Sequence, residues 1–436
     1  MTATPRLLLA YYGDDFTGST DALEFLARAG ARTALFLAPP TTAQLARHPG
    51  LQAVGVAGLT RSLAPDAMAT ELRPAFAALR ALGPRHVHYK VCSTFDSSPT
   101  VGSIGRAIEV GTEIFGHPWV PLLVGAPALG RYCVFGHLFA RMGTGGTGEI
   151  HRLDRHPSMS RHPVTPAHES DLRLHLAKQT TKRIGLFDIL QVSLPGSEAR
   201  AALDRLVADG ADVMLFDVLH ADQMARLGAL IDGAAGQGKP LFSVGSSGLN
   251  MALGNHWATQ GTLTAMNTWA DPGPAAPLLV VSGSCSPVTA GQIAWAEAHG
   301  FAHLSLDPVA PDVDGALALV MRELDAGRHT VVSTGRGEAG APVDAAVLGT
   351  ALGRIAREAI TRAGLRRLVV AGGDTSGYAA RALAIESVEM LAPLAPGAPL
   401  CRAFAPGGAI DGLEVVFKGG QVGAPDFFGA VARGHV

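Results

Sequence analysis

The sequence predicts an α/β fold in two domains, each built on a mostly parallel sheet, and three observations predict it. Short apolar runs alternate with segments of helical periodicity along nearly the whole chain. Several of these runs end in a loop of Gly, Ser, Thr and Asp that opens the next helical segment, as βα turns of open parallel sheets do. The third is length: 436 residues exceed one ordinary core, and a stretch rich in Thr, Asn, Pro and Gly at 261–277 divides them. The expected domains are 1–262 and 275–436, both Rossmann-like.

The first element is a buried strand at Leu7–Tyr12. It leads into Tyr11-Tyr12-Gly13-Asp14-Asp15-Phe16-Thr17-Gly18-Ser19-Thr20-Asp21. Ala22, Phe25, Leu26 and Ala29 then recur at helical spacing, and Gly30 offers a stop. Two adjacent carboxylates on such a turn can orient a polyhydroxylated ligand, hold a metal, or take a proton from an alcohol. Helix capping accounts for one of Asp14, Asp15 and Thr17, but not for both carboxylates and Asp21. Asp14 and Asp15 are therefore the candidate catalytic and substrate-binding pair.

Strands follow near Ala53–Ala57, Val87–Val91 and Leu122–Gly125, with a helix within Asp66–Leu82. Arg61 stands just past the first of these strands, after Gly58-Leu59-Thr60. The second runs from Lys90-Val91 into the polar loop Cys92-Ser93-Thr94-Phe95-Asp96-Ser97-Ser98-Pro99. Arg61 and Lys90 are placed to meet a substrate carboxylate, and Ser93, Thr94 and Asp96 to bond hydroxyls. Arg131–Met142 reads as an irregular, hairpin-forming segment.

Two nucleotide motifs along the way are decoys. Gly143–Gly148 fits G-x-G-x-x-G, but no amphipathic helix follows to receive a pyrophosphate. Gly233–Lys239 fits the first seven positions of a P-loop, yet Pro240 stands where Ser or Thr is needed, and the stretch precedes a strand. It reads as a helix stop and turn. His151, His156, His162 and His168 lack zinc-motif spacing, so no metal site is assigned. Strands recur near Ile184–Ile189, Val213–Val218 and Leu241–Val244, the last followed by a ligand-type loop, Gly245-Ser246-Ser247-Gly248.

In the second half, the strand Leu278–Val281 is followed by Ser282-Gly283-Ser284-Cys285-Ser286-Pro287 and a helix, with Pro287 suited to the first helical position. Leu368–Ala371 leads in the same way into Gly372-Gly373-Asp374-Thr375-Ser376-Gly377. Backbone N–H groups of such loops meet anions. A third loop, Lys418-Gly419-Gly420-Gln421-Val422-Gly423-Ala424-Pro425-Asp426, offers a lysine and glycines to phosphates or base. Together they suit a triphosphate.

Composition narrows the partners. Lys+Arg 35 against Asp+Glu 37 gives a net charge of −2, which provides no general grip on nucleic acid or on an anionic membrane. No apolar run approaches the roughly 20 residues that span a bilayer. Asp14 and Asp15 interrupt the N-terminus before any signal-like segment forms, so a cytoplasmic protein is expected. Cys92, Cys133, Cys285 and Cys401 form no C-x-x-C pair. Near-neutral charge is compatible with a homodimer without specifying one.

Taken together, the motifs resemble the four-carbon acid sugar kinase family along nearly the whole chain. The hallmarks are Asp14-Asp15-Phe16-Thr17-Gly18 with Asp21, Gly372-Gly373-Asp374-Thr375-Ser376-Gly377, and Lys418 to Phe428. The middle fits through Cys92 to Ser97 and through Arg152 to Pro157 with Ser160 to Pro166. The loop Cys92-Ser93-Thr94-Phe95-Asp96-Ser97 is most similar to the 3-oxo-tetronate kinase branch. Gly13 replaces a usual Ala, and Asp374 a frequent Glu.

The resemblance implies an ATP- and Mg²⁺-dependent kinase of threonate, erythronate or 3-oxo-tetronate, with 3-oxo-isoapionate as an alternative substrate. It implies an N-terminal domain that holds the acid sugar, a C-terminal domain that binds ATP, and an active site in the cleft between them. ATP contacts are expected at Ser284, Ser286, Gly372, Gly373, Asp374, Thr375 and Gly420. Two rivals stand beside it: a dinucleotide-dependent oxidoreductase, which lacks the required helix, and a non-catalytic acid-sugar sensor on the same fold.

Overall fold

The computed structural model describes residues 7–142, 148–162, 164–236, 238–334 and 344–435. Residues 143–147 of the G-x-G-x-x-G match, Pro163, and Gln237 of the P-loop-like stretch lie outside the described residues.

In chain order the first strands are β1 (Leu9–Gly13), β2 (Thr33–Phe36), β3 (Ala53–Ala57), β4 (His86–Lys90) and β5 (Val120–Leu123). Next come β6 (Arg131–Val134), β7 (His137–Arg141), β8 (Ile150–Arg152), β9 (Ile184–Phe187), β10 (Val213–Phe216) and β11 (Leu241–Gly245). The rest are β12 (Leu279–Ser282), β13 (Ala302–Leu306), β14 (Thr330–Thr334), β15 (Arg367–Ala371), β16 (Ser387–Ala395), β17 (Ala398–Phe404) and β18 (Glu414–Lys418).

The chain forms two compact units. The first comprises residues up to Asp14, Phe25–Thr33 and Ala38–Asn267; the second comprises Asp15–Glu24, Ala34–Leu37 and Thr268–Val436. The second unit is thus discontinuous in sequence and takes in the start of the Phe16–Arg28 helix.

In the first unit the strands run β3-β1-β4-β11-β5-β10-β9, every pair parallel. The chain leaves β1 for β3 on one side and then crosses to β4 on the other, so β1 and β4 flank a topological switch point. Ligands gather outside the carboxyl ends of strands at such points. These ends are Gly13 and Lys90, paired in register. The segment read as irregular folds as a hairpin of β6 and β7, extended by β8. The core centres on Phe76, whose ring lies 6.2 Å from Tyr12, 5.9 Å from Phe115 and 5.3 Å from Phe242. Ser103 caps the Ile104–Phe115 helix by accepting the Arg106 N–H at 3.1 Å, and Gly116, at φ 64°, ends it.

In the second unit β13-β14-β12-β15-β18 run parallel, and β17, β16 and β2 continue the order antiparallel. Here the switch point falls between β12 and β15, whose ends Ser282 and Ala371 are in register. Buried Val280, Val369, Val416, Phe427 and Phe428 make its core. Phe16 belongs to this unit by packing on Phe417, with centroids 4.5 Å apart. Arg367 is wholly buried, which is tolerable because Glu414 accepts from its Nε at 2.8 Å and the carbonyls of Val431 and Gly273 accept at 2.6 and 3.0 Å. No described helix is long and apolar enough to cross a membrane.

Candidate active site

The two adjacent carboxylates have different partners. Asp14 directly follows β1 in the first unit, 2% exposed, with its N–H on the Lys90 carbonyl at 2.9 Å. Arg61 forks onto its carboxylate, Nε at 3.1 Å from Oδ2 and Nη2 at 2.7 Å from Oδ1. Asp15, in the second unit, caps the Phe16–Arg28 helix: Oδ1 accepts the Gly18 N–H at 2.8 Å and Oδ2 the Thr17 hydroxyl at 2.9 Å.

Lys90, expected to face a substrate carboxylate, is 1% exposed, and its Nζ donates to the Val91 carbonyl at 3.0 Å. Arg61 keeps a quarter of its side chain exposed. Beyond Lys90 the Cys92 Sγ and Thr94 hydroxyl lie 3.0 Å apart. Burial pushes the Cys92 thiol up to about 11, which keeps it protonated and poorly nucleophilic. Ser93 is partly buried on the same turn.

Phe95 sits at φ 57°, a left-handed conformation costly for a bulky residue. Beside it is a small cavity lined by Thr94, Asp96, Ser97, Thr165, Glu169 and His175 among others. Asp96 Oδ1 is shielded from water there, with no hydrogen-bond partner among the described residues. Ser97 Oγ bonds His175 Nε2 at 3.0 Å and accepts from Gln179 at 3.0 Å, fixing one wall. Burial lowers the His175 pKa below the usual histidine range, so the imidazole is neutral at neutral pH. The sequence reading found Thr94 and Asp96 but missed Glu169 and His175, which arrive from a segment more than seventy residues on and carry no local motif.

In the second unit the three small-residue loops converge. Gly372 N–H donates to the Lys418 carbonyl at 2.9 Å, and Gly283 N–H to the Ala371 carbonyl at 3.1 Å. A Cβ on Gly283 would stand 2.3 Å from Thr375 Oγ1, and one on Gly420 2.7 Å from Ser284 Oγ, so only glycine permits this approach. Gly372, at φ 122°, requires glycine for its backbone. Ser286 caps the Pro287–Ala298 helix, with Pro287 in the first turn as the sequence indicated. Asp374 is exposed on the first turn of the Gly373–Ala382 helix.

Asp15 belongs beside these loops: a Cβ on Gly373 would lie 3.5 Å from its Oδ2, and one on Gly419 3.9 Å from Thr17 Oγ1. Two residues that the sequence reading missed brace the third loop. The Thr289 hydroxyl donates to the Gly420 carbonyl at 2.8 Å, and Gln292 Nε2 lies 3.0 Å from the carbonyls of Val422, Gly423 and Ala424. Both are inward-facing residues of the helix that Ser286 caps, a signal present in the helical spacing. Among the described residues no three His, Cys, Asp or Glu side chains are grouped to hold a metal.

Comparison with known proteins also separates two regions along the sequence. Residues 9–253 match the model of a sugar-binding N-terminal domain, and 279–428 that of a nucleotide-binding C-terminal domain. The chain is 45% identical to a 3-oxo-isoapionate kinase of Paraburkholderia graminis, an alignment covering 100% of this chain and 96% of that protein. It is 31% identical to a 3-oxo-tetronate kinase of Pseudomonas fluorescens, covering 98% and 96%. In fold it is similar to crystal structures of a Salmonella typhimurium LT2 protein (TM-score 0.78, 24% identity, 99% and 100% covered) and a Haemophilus influenzae protein (0.69, 22%, 96% and 98%). The chain belongs to the four-carbon acid sugar kinase family and is an enzyme of the sugar-acid kinase class.

Proposed function

We propose that the enzyme uses Mg-ATP to phosphorylate a hydroxyl of 3-oxo-isoapionate, with a 3-oxo-tetronate as the second candidate. The observation that carries the substrate is the full-length 45% identity to a 3-oxo-isoapionate kinase, against 31% and 32% for two 3-oxo-tetronate kinases. Threonate and erythronate come third. The retained carboxylates and glycine loops favour catalysis over a sensor.

Phosphoryl transfer asks mainly for positioning and for neutralisation of phosphate charge. Asp15 is the better placed of the two aspartates to orient the acceptor hydroxyl and take its proton, since it stands beside Gly373. The alkoxide oxygen then bonds the γ-phosphorus as the bond to the β,γ-bridging oxygen breaks, and ADP leaves. Asp14 and Arg61 serve the acid sugar, with Arg61 as the cation for its carboxylate. Lys90, buried at the end of β4 with its Nζ on the Val91 carbonyl, stands beside it as the second candidate cation. Ser284, Ser286, Gly372, Thr375 and Gly420 hold the triphosphate. Mg²⁺ would come with the nucleotide and need only one or two carboxylates, for which exposed Asp374 is suited.

The test is ADP release from Mg-ATP over a panel of 3-oxo-isoapionate, 3-oxo-tetronates, threonates and erythronates, with mass spectrometry of the products. Phosphorylated 3-oxo-isoapionate is expected. Asp15→Asn should keep the helix cap, because Asn caps as well as Asp. It should keep ATP binding and lose roughly 10²- to 10⁴-fold in kcat. Unchanged turnover in that variant would remove the assignment of Asp15.

A further inference from the structure

At the end of β18, directly before Gly419-Gly420, is a lysine that no step above uses. Lys418 is wholly buried. Its Nζ does not emerge with the loop but turns inward to Thr289 Oγ1 at 3.0 Å, its only hydrogen-bond partner among the described residues. The Phe427 ring centroid lies 6.0 Å away. Thr289 in turn donates its proton to the Gly420 carbonyl at 2.8 Å. The donors and acceptors are consistent along the relay, from ammonium to hydroxyl to loop carbonyl. The sequence offers this lysine to phosphates or base; the geometry turns its ammonium inward onto Thr289, beneath the loop.

An ammonium in such surroundings is expensive, and burial lowers its pKa to about 7. A methionine would fill the same space at no electrostatic cost. Among the described residues no carboxylate bonds Lys418 to offset the penalty. The missing counter-charge is what a polyphosphate on the Ser284, Ser286 and Gly420 loops would supply.

We propose that Lys418 is a positioning residue of the nucleotide site, which holds the Gly420 loop through Thr289 and places a positive charge under the bound phosphates. The inference rests on the ATP reading given above and adds a residue to that site. Its signature is dependence on phosphate number, because a charge beneath the loop acts on phosphates and not on a nucleoside.

The experiment is calorimetric titration of the intact protein with ATP, ADP and adenosine, for wild type, Lys418→Met, Lys418→Arg and Thr289→Val. Thermal unfolding is followed in parallel to confirm that each variant folds. Lys418→Met should weaken ATP roughly tenfold or more, ADP less, and adenosine hardly at all, since the attraction scales with the charge it meets. Lys418→Arg should recover most of the ATP affinity, and Thr289→Val should weaken ATP several-fold by freeing the loop. Equal losses for all three ligands, or none, in a folded Lys418→Met variant would overturn the proposal. Failure of the wild type to bind ATP would instead overturn the nucleotide reading beneath it.

Discussion

Arg61 closes on Asp14 with two nitrogens of its guanidinium, Nη2 at 2.7 Å from Oδ1 and Nε at 3.1 Å from Oδ2. The fork fixes the carboxylate that follows β1 and leaves a quarter of the Arg61 side chain exposed. Lysine cannot reproduce this two-point geometry.

Arg61→Met should therefore raise KM for the acid sugar about tenfold or more, while KM for ATP stays within about twofold. It should also cost about 1–3 kcal/mol in urea unfolding, because Asp14 remains buried; partial exposure of Arg61 holds the figure below that of a fully buried pair. Arg61→Lys should recover stability better than substrate affinity. Equal changes in both KM values would contradict this role.

Gly420→Ala tests the convergence of the small-residue loops on the nucleotide. The added methyl would meet Ser284 Oγ at 2.7 Å and the Ser286 Cβ at 2.9 Å, and must push the loops apart. ATP affinity should fall about tenfold, with KM for the acid sugar unchanged at saturating ATP. Normal ATP affinity would mean that the loops do not grip the nucleotide at this point.

The cavity beside Phe95 is expected to discriminate among acid sugars. Asp96 and Glu169 are acceptors, and His175 is neutral, so the cavity suits hydroxyls and repels a carboxylate. Asp96→Asn and Glu169→Gln should change the ratio of kcat/KM between 3-oxo-isoapionate and a 3-oxo-tetronate by about tenfold, with ATP parameters steady. A ratio that does not move in either variant would exclude the cavity from substrate choice.

Asp232 sets an acid limit on stability. Burial alone would raise its carboxyl, but hydrogen bonds from His86 and Arg85 outweigh burial and hold it well below the usual range. Its oxygens accept from Arg85 Nε at 2.8 Å, His86 Nε2 at 2.9 Å and Trp257 Nε1 at 3.2 Å. The folded pKa is depressed, so this stabilisation is present above the unfolded value of about 4 and is lost as pH falls toward the folded one. In urea denaturation, wild type should exceed Asp232→Asn at pH 6, and the gap should shrink below about pH 4. A gap that stays constant from pH 6 to pH 3 would refute this.

Where local pattern decides the outcome, the chain is legible. β3 matches the expected Ala53–Ala57 run, β9, β10 and β11 begin at the expected residues, and Pro287 opens its helix as its chemistry demands. The three small-residue loops of the second unit follow from small residues after apolar runs. What escaped depends on distant contacts. Nothing near Asp15 reveals that it caps a helix packed in the second unit, because the deciding partner of Phe16 is Phe417. The inward turn of Lys418 likewise depends on Thr289, well over a hundred residues away. Half-exposed β13 has no buried run to announce it.

The discontinuous second unit affects how the chain is made. Asp15–Glu24 and Ala34–Leu37 leave the ribosome early, whereas Ser387 and Val388 of β16, the partners of Phe36 and Leu35 in β2, leave near the end. Those early segments must wait for most of translation before their own unit can close, which gives chaperones a long interval in which to act. For the same reason a fragment beginning at Thr268 would expose the β2-facing edge of β16 and leave Phe417 without Phe16. A chimaera that exchanges the nucleotide unit between relatives must carry the two short N-terminal segments with it.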